Sequence, residues 1–470
     1  MEKVKAGLLP FYLKLYDDQL PEKRAGFKKV LKDVTVGLEK CGLEIVTAPV
    51  CRIKSEFAKA VELFKKEKVD CIITLHLAYS PSLESVDVIA KSGLPVIILD
   101  TTTDASFDQR TSPDKIMYNH GVHGVMDFAS MLRRVGRRFE IIAGHYLVSN
   151  VLERTANAVR AITAAKSFRS TSALRIGESF KGMGDFAVDE KTMASKLGIR
   201  VTQKGIGDLA KAASSISIKQ VEDEVKNDRK LFKVVAPLEV HVRSVRVGLG
   251  LRKLIQDGGF KAFSMNFLAF DGSYGVDTLP FLEASKGMAA GTGYGGEGDV
   301  LTASLVGALQ RAFGQTTFTE IFCADWKGGN IFLSHMGEIN PDVAEGKPLL
   351  VEKPFLFKGT KNPAILTCAI KRGDAVFVNL APGPHDTFRL IAAPVTVLAD
   401  TKRKDMASVV RGWVKPKMRS VESPAKGVEK FLEEYSRNGG THHSALMLGD
   451  KLEALEIFAR HAGFEWCVIE

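Results

Sequence analysis

Apolar positions along the chain recur with two periods, and the change from one to the other marks the elements. Continuous apolar runs at 4–9, 43–50, 71–77 and 96–99 predict strands. Between them, 27–42 and 56–66 repeat apolar residues at helical spacing, with Phe57, Ala60, Val61 and Phe64 on one face of the second helix. Strands spaced by helices predict a parallel sheet wrapped on both faces. In that architecture ligands sit beyond the carboxyl ends of the strands, where His76 and the turn at Ser80 and Pro81 fall.

A helix over 152–166 leads into the polar stretch 167–172, which predicts a boundary. The alternation then resumes. Strands are expected over 173–176, 199–202 and 262–267, with helices near 191–197 and over 218–227 and 240–257. After about residue 320 the texture changes. Short strands at 330–334, 364–370, 375–379, 388–397 and 409–413 are separated by Gly, Pro and charged turns, which predicts a mostly β region. A helix over 451–461 and a strand over 465–469 follow.

Length agrees with several cores: 470 residues at roughly 150 per domain suggest about three. The expected division is an α/β domain over 1–168, a second over 169–318 and a β-rich domain over 319–470. A composition of 45% hydrophobic and 26% charged residues is ordinary for globular chains. No apolar stretch reaches the roughly 18 residues that a membrane helix needs, so no membrane partner is expected. Residues 1–9 lack a long apolar region, and no secretory signal is expected. Six scattered cysteines read as reduced thiols of a cytoplasmic protein. The net charge of +10 changes little. Basic residues are mixed with acids, and clusters such as Arg133, Arg134, Arg137 and Arg138 are short. This pattern is a solvated surface with some attraction for anions, and no nucleic-acid partner is expected.

The most unusual segment is 291–299, in which glycines surround Glu297 and end at Asp299, a natural N-cap for the helix that follows. A phosphate cradle would carry Gly-Lys-Ser/Thr here, and this segment does not. Dense glycine instead lets backbone pack closely around one carboxylate, which suits a metal ligand. Strand alternation over 316–320 puts Glu320 on the face of Phe318. A carboxylate aimed inward implies a partner. Ile331, Leu333 and His335 share one face in the same way. Taken alone, such a histidine is more often a hydrogen-bonded core residue than a ligand. His442 and His443 lie in a glycine-led turn just before a helical stretch, and adjacent turn residues are expected to point apart. Together these residues form a mixed oxygen and nitrogen set suited to Mn²⁺, Co²⁺ or Mg²⁺. Spacing alone does not bring them together.

The blocks 293–299, 316–320, 334–336 and 439–443 resemble, in order and approximate spacing, bacterial L-arabinose isomerases within the L-fucose/L-arabinose isomerase superfamily. Segments 119–124, 143–146, 174–177, 205–209, 260–263 and 445–469 are similar to further landmarks of that family. The resemblance implies a flavodoxin-like N-terminal α/β domain, a central α/β domain and a C-terminal β-rich, barrel-like domain. It implies Mn²⁺ or a similar ion on Glu297, Glu320, His335 and His443, the second His of the pair being the ligand. Aldose–ketose isomerisation needs two carboxylates that alternate as base and acid, and Glu297 and Glu320 are expected to be these. Substrate contacts are expected from His123, His442, Tyr16 and His76. His123 matches a residue that a neighbouring subunit contributes, which implies a homo-oligomer, commonly a hexamer or tetramer, with shared active sites.

Two departures bear on the sugar. The family's Gln-x-Leu-Tyr-Gly turn is replaced by residues 10–17, which include Tyr16, and its Trp after the glycine-rich block is Val300 here. The expected activity is metal-dependent aldose–ketose isomerisation, with L-arabinose and L-ribulose as the best single substrate pair. The alternatives are a non-enzymatic sugar-binding or regulatory protein, or another metal-dependent enzyme on the same ligands: an L-fucose-type isomerase, an aldolase or a hydrolase.

Overall fold

The apolar runs near the N-terminus become the strands β1 (Val4–Phe11), β2 (Leu43–Thr47), β3 (Cys71–His76) and β4 (Val96–Asp100). A fifth, β5 (Glu140–Ala143), opens on a glutamate and carries only Ile141 and Ile142 as β-branched residues, and the sequence did not disclose it. All pair in parallel in the order β2-β1-β3-β4-β5. The structure is a computed structural model that describes residues 4–355 and 359–470. β3 is buried along its whole length, as expected of a strand covered on both faces. The helices Lys28–Lys40 and Lys54–Lys66 lie where the periodicity placed them, the first burying Val30, Val34 and Leu38. A third helix, Gly121–Arg134, was not expected. Its buried stripe begins with Gly121 and Gly124, which carry no hydrophobic signal.

The chain divides into two compact units, residues 2–163 and 164–470. In the second unit the strands continue as β6 (Ser172–Ile176), β7 (Arg200–Lys204), the two-residue β8 (Lys233–Val234), β9 (Ala262–Met265) and β10 (Gly293–Gly295). A parallel sheet runs in the order β10-β9-β6-β7. Two expectations need correction here. The helix near 191–197 is one α-turn, Glu190–Thr192, running into a wider turn over Met193–Leu197. The glycine-rich segment is part strand, because β10 pairs with β9.

The remaining strands are β11 (Thr316–Asp325), β12 (Asn330–Ser334), β13 (Leu349–Glu352), β14 (Ala364–Thr367), β15 (Gly373–Pro382), β16 (Phe388–Val397), β17 (Gly412–Pro416), β18 (His443–Leu448) and β19 (Glu465–Val468). β17 replaces the strand expected over 409–413. Six of them pair antiparallel in the order β15-β18-β11-β12-β17-β16, and β15 pairs with β16 to close a barrel. β19 adds in parallel to the outside of β16, and β8 joins β13 and β14 in a small separate sheet.

The helix Val300–Phe313 joins the two layers. It packs against β9 and β10 and against β11 and β18. A one-sided core would bury only one stripe of it, yet all thirteen residues from Val300 to Ala312 are buried. A helix buried all round needs its polar groups satisfied. Gln310 donates to Asp342, and Arg311 donates to the carbonyls of Lys261 and Gly291.

Candidate metal centre

Barrel register brings three of the expected residues to one end. Glu320 on β11 stands opposite His443 on β18 and opposite Ser334 on β12, and His335 follows Ser334 directly. A register shift between Ile321 and Cys323 interrupts β11 just past Glu320. Phe318, two residues before Glu320, points to the same side, its ring 4.8 Å from that of His335 and 5.1 Å from that of His443. The alternation over 316–320 is therefore as expected.

Glu297 arrives from the glycine-rich segment. It adopts φ +58°, a left-handed conformation that few non-glycine residues take and that marks a held position. Gly298 has to be glycine for another reason. A Cβ there would stand 2.6 Å from Cα of Ser179, whose loop crosses the segment. That loop is tied down where Phe180 N–H donates to the Glu297 carbonyl at 2.9 Å.

Four side chains then meet. Glu320 Oε1 lies 3.1 Å from His335 Nε2 and 3.3 Å from His443 Nε2. Glu297 Oε2 lies 3.4 Å from His443 Nε2. Each ring's other nitrogen is held by a buried carboxylate. His335 Nδ1 is 2.7 Å from Glu338 Oε2, and His443 Nδ1 is 3.0 Å from Asp299 Oδ2. These contacts aim His335 Nε2 at Glu320 and His443 Nε2 at both glutamates, the arrangement in which imidazoles ligate metal ions.

The set fits a divalent cation on this geometry. Glu297 Oε2 and His443 Nε2 are buried and have no hydrogen-bond partner among the described residues. Gly296 leaves space beside them: a Cβ there would be 3.4 Å from His443 Nε2 and 3.6 Å from His335 Nε2. Glu297, His442 and His443 also offer ligand atoms within 4.8 Å of one another. His442 thus stands nearer the centre than a turn pointing its residues apart would put it. His443 opens strand β18 and His442 directly precedes it, so no helix follows the pair at once, and the two rings are 4.2 Å apart. His442 is half-exposed and His443 is fully buried. We take the buried ring, with its carboxylate behind it, as the better ligand.

Electrostatics follow the same contacts. Burial penalises the charge on Glu297, but His442 and His443 outweigh it and hold the carboxyl down to about 2. Burial likewise opposes ionisation of Glu320, and His335 and His443 overcome it, holding that carboxyl far below the usual range. The histidines move the other way against their own burial. Glu338 and Glu320 raise His335 to about 10, and Asp299, Glu297 and Glu320 raise His443 to about 11. Two negative groups facing two proton-binding groups form a balanced cluster in which protons occupy positions a cation would take.

Four supporting residues escaped the sequence reading. Asp299 was expected only as a cap. Its Oδ1 does accept from Thr302 N–H at 2.8 Å, while its Oδ2 serves His443. Glu338 lies three residues beyond His335 across Gly337, and its other oxygen accepts from Tyr294 O–H at 2.6 Å. Asp185 accepts from His442 N–H at 2.9 Å and sits 2.7 Å from its Nδ1. Phe186 stacks on the His443 ring at 4.7 Å. A carboxylate three residues from a candidate ligand was the one available signal. Asp185 and Phe186 are distant in sequence and gave none.

A cavity of about 300 Å³ opens on the cluster. Gly296, Glu297, Glu320 and His335 form one side, and Met265, Phe267, Phe281, Phe322, Met336 and Phe355 supply apolar walls.

The other expected contacts lie in residues 2–163. Tyr16 O–H is 3.0 Å from His120 Nε2, and His123 is exposed on the helix Gly121–Arg134. His76 is buried against Phe11, ring centroids 4.3 Å apart, and burial pushes its imidazole down to about 3.

Residues 174–314 match the family model for the L-arabinose isomerase central domain, and residues 315–465 match that for the L-arabinose isomerase C-terminal domain. The chain is similar to the L-arabinose isomerase of Geobacillus kaustophilus (strain HTA426), 28% identical over 87% of this chain and 82% of that one. It is 27% identical to the enzyme of the same name from Shouchella clausii (strain KSM-K16), over 92% of this chain and 88% of that one. Among solved structures, a periplasmic solute-binding protein from Actinobacillus succinogenes 130z with bound D-allose covers 66% of this chain and 92% of its own, at 13% identity and a TM-score of 0.18. That score is too low to bear on the fold.

Proposed function

The chain belongs to the L-arabinose isomerase family and is an aldose–ketose isomerase, and from that premise we propose that it interconverts L-arabinose and L-ribulose with the help of a divalent cation. The observation that carries the reading is the meeting of Glu297, Glu320, His335 Nε2 and His443 Nε2 beside one cavity, which Glu297, Glu320 and His335 line. Those four residues would hold the cation: Mn²⁺ first, or Co²⁺ or Mg²⁺. An ion held there would supply Lewis acidity at the reacting end of the sugar.

The reaction moves hydrogen between C1 and C2 and a proton between O1 and O2. Glu297 and Glu320 alternate as base and acid for these transfers. His335 and His443 ligate and orient, held by Glu338 and Asp299. The aromatic and thioether walls exclude water from the reacting end. His442 faces the sugar at the open side, fixed by Asp185.

We further read the enzyme as a cytoplasmic homo-oligomer, hexamer or tetramer, in which exposed His123 of one subunit, with Tyr16 and His76 behind it, serves a neighbour's site. Among the described residues no helix is long and apolar enough to cross a membrane. Incubating the Mn²⁺-loaded protein with L-arabinose and with a panel of stereoisomeric aldoses, and separating the products by chromatography, tests the function. Formation of L-ribulose supports it. No ketose from any aldose by the fully metallated oligomer overturns it.

A further inference from the structure

A second, larger cavity of about 790 Å³ lies within residues 2–163, and the isomerase chemistry makes no use of it. Its walls come from the segments that follow three parallel strands. Pro21, Arg24, Lys28 and Leu31 follow β1; Pro49 to Arg52 follow β2; Leu77 follows β3 at once. It therefore sits at the carboxyl edge of the sheet, where ligands of open α/β folds bind. Its volume is in the range of small-molecule sites, roughly 300–1,000 Å³.

The floor is pinned by backbone. Cys51 N–H donates to the Pro10 carbonyl at 2.9 Å, Tyr12 N–H to the Cys51 carbonyl at 3.0 Å, and Leu77 N–H to the Phe11 carbonyl at 3.1 Å. Two of the four lining cations are already neutralised. Arg52 donates to Asp17 at 2.8 Å and grips both oxygens of Glu56, and Arg24 donates to the same Asp17 oxygen at 2.8 Å. The other two are not. Lys28, which opens the helix Lys28–Lys40, and Lys59, in the helix Lys54–Lys66, have no ion-pair or hydrogen-bond partner among the described residues. The remaining lining is apolar: Ala25, Leu31, Val50, Ala60 and Leu63.

We propose that this cleft binds a phosphate monoester with a flat apolar body, a nucleoside monophosphate, placing the phosphate on Lys28 and Lys59 and the base on Leu31, Val50 and Leu63. Two unneutralised ammonium groups match a dianion better than a carboxylate. Free inorganic phosphate would leave the apolar wall uncovered, and the volume exceeds what one ion fills. None of the lining residues is among those assigned to isomerisation, so its occupancy is measured without turnover.

Isothermal titration of the full chain with AMP, ribose 5-phosphate, inorganic phosphate and adenosine tests this. AMP is expected to saturate one site per chain, about tenfold or more tighter than any of the other three. Substituting Lys28→Ala together with Lys59→Ala should weaken AMP about tenfold or more, with an unchanged melting temperature because both lysines are exposed. Should the double variant melt early, Lys59→Gln alone provides the same readout with a smaller expected loss. No heat with millimolar AMP overturns the proposal. So does AMP affinity unchanged by these substitutions, or ribose 5-phosphate binding as tightly as AMP.

Discussion

Glu320 and His443 face each other across the β11–β18 ladder, with carboxylate Oε1 and imidazole Nε2 3.3 Å apart. Directly opposed strand residues are held within reach of each other by the backbone alone. This pair is the fixed element of the centre, onto which Glu297 and His335 converge from other segments.

If Glu297 and Glu320 perform the proton transfers, Glu297→Gln and Glu320→Gln should each lower turnover by about 10²–10⁴. The variants should still fold, because Gln keeps the size of Glu. Steady-state kinetics at saturating Mn²⁺, with metal content measured in parallel, checks this. Near-normal turnover in either variant with metal bound contradicts the assignment.

Asp299 has two tasks that one substitution separates. Asn caps helices as well as Asp does, so Asp299→Asn should leave the helix Val300–Phe313 in place and the melting temperature nearly unchanged. The amide no longer supports His443 as the carboxylate does, and Mn²⁺ affinity should fall about 10–100-fold. Asp299→Ala should show the same affinity loss plus about 1 kcal/mol of lost stability from the missing cap. Calorimetry of Mn²⁺ binding and of unfolding distinguishes the two.

Gly296→Ala is a steric test of the ion's place. The added methyl would meet His443 Nε2 at 3.4 Å, Phe318 Cζ at 3.5 Å and His335 Nε2 at 3.6 Å, ordinary contact distances. The fold should tolerate it. Metal binding should not, because the methyl takes the space between the two imidazoles. Unaltered Mn²⁺ affinity in this variant would mean that the ion sits elsewhere.

His76 predicts an acid response of the N-terminal unit. Burial holds its imidazole at about 3 in the folded chain, below its ordinary 6.5. Below pH 6.5 the unfolded chain therefore takes up a proton that the folded chain refuses. Stability from this residue is complete above pH 6.5 and declines as pH falls toward 3, by up to about 1.4 kcal/mol per pH unit. A non-titrating ring of similar size, His76→Phe, should flatten that decline. Melting temperatures of both proteins from pH 7 to 4 measure it, and parallel curves would contradict the cause.

The sequence disclosed strands best where apolar runs were continuous, as at 71–77, and helices where the buried stripe was large, as at 54–66. It failed where small residues carry the packing. The helix Gly121–Arg134 buries two glycines, and β10 is Gly-Tyr-Gly. At the site, Glu297, Glu320, His335 and His443 were legible from motifs and resemblance. Their convergence was not, because it depends on the β11–β12 and β11–β18 registers, which no local pattern records. Asp185 and Phe186 were invisible for the same reason. They reach His442 and His443 from about 257 positions away.

The closed barrel also sets how this chemistry can change over time. Each of the six strands is hydrogen-bonded on both sides, so none can slide without breaking two ladders. Glu320 and His443 are thus insulated from substitutions elsewhere in their strands, provided no residue is inserted or deleted between the barrel wall and the rim. Phe281 and Met336 line the cavity without belonging to the β11–β18 ladder, so changing them leaves the spacing of Glu320 and His443 in place. Deletion scanning along β18 would expose this asymmetry: a single residue lost within Ser444–Leu448 should abolish the centre, whereas several wall substitutions together should leave it intact.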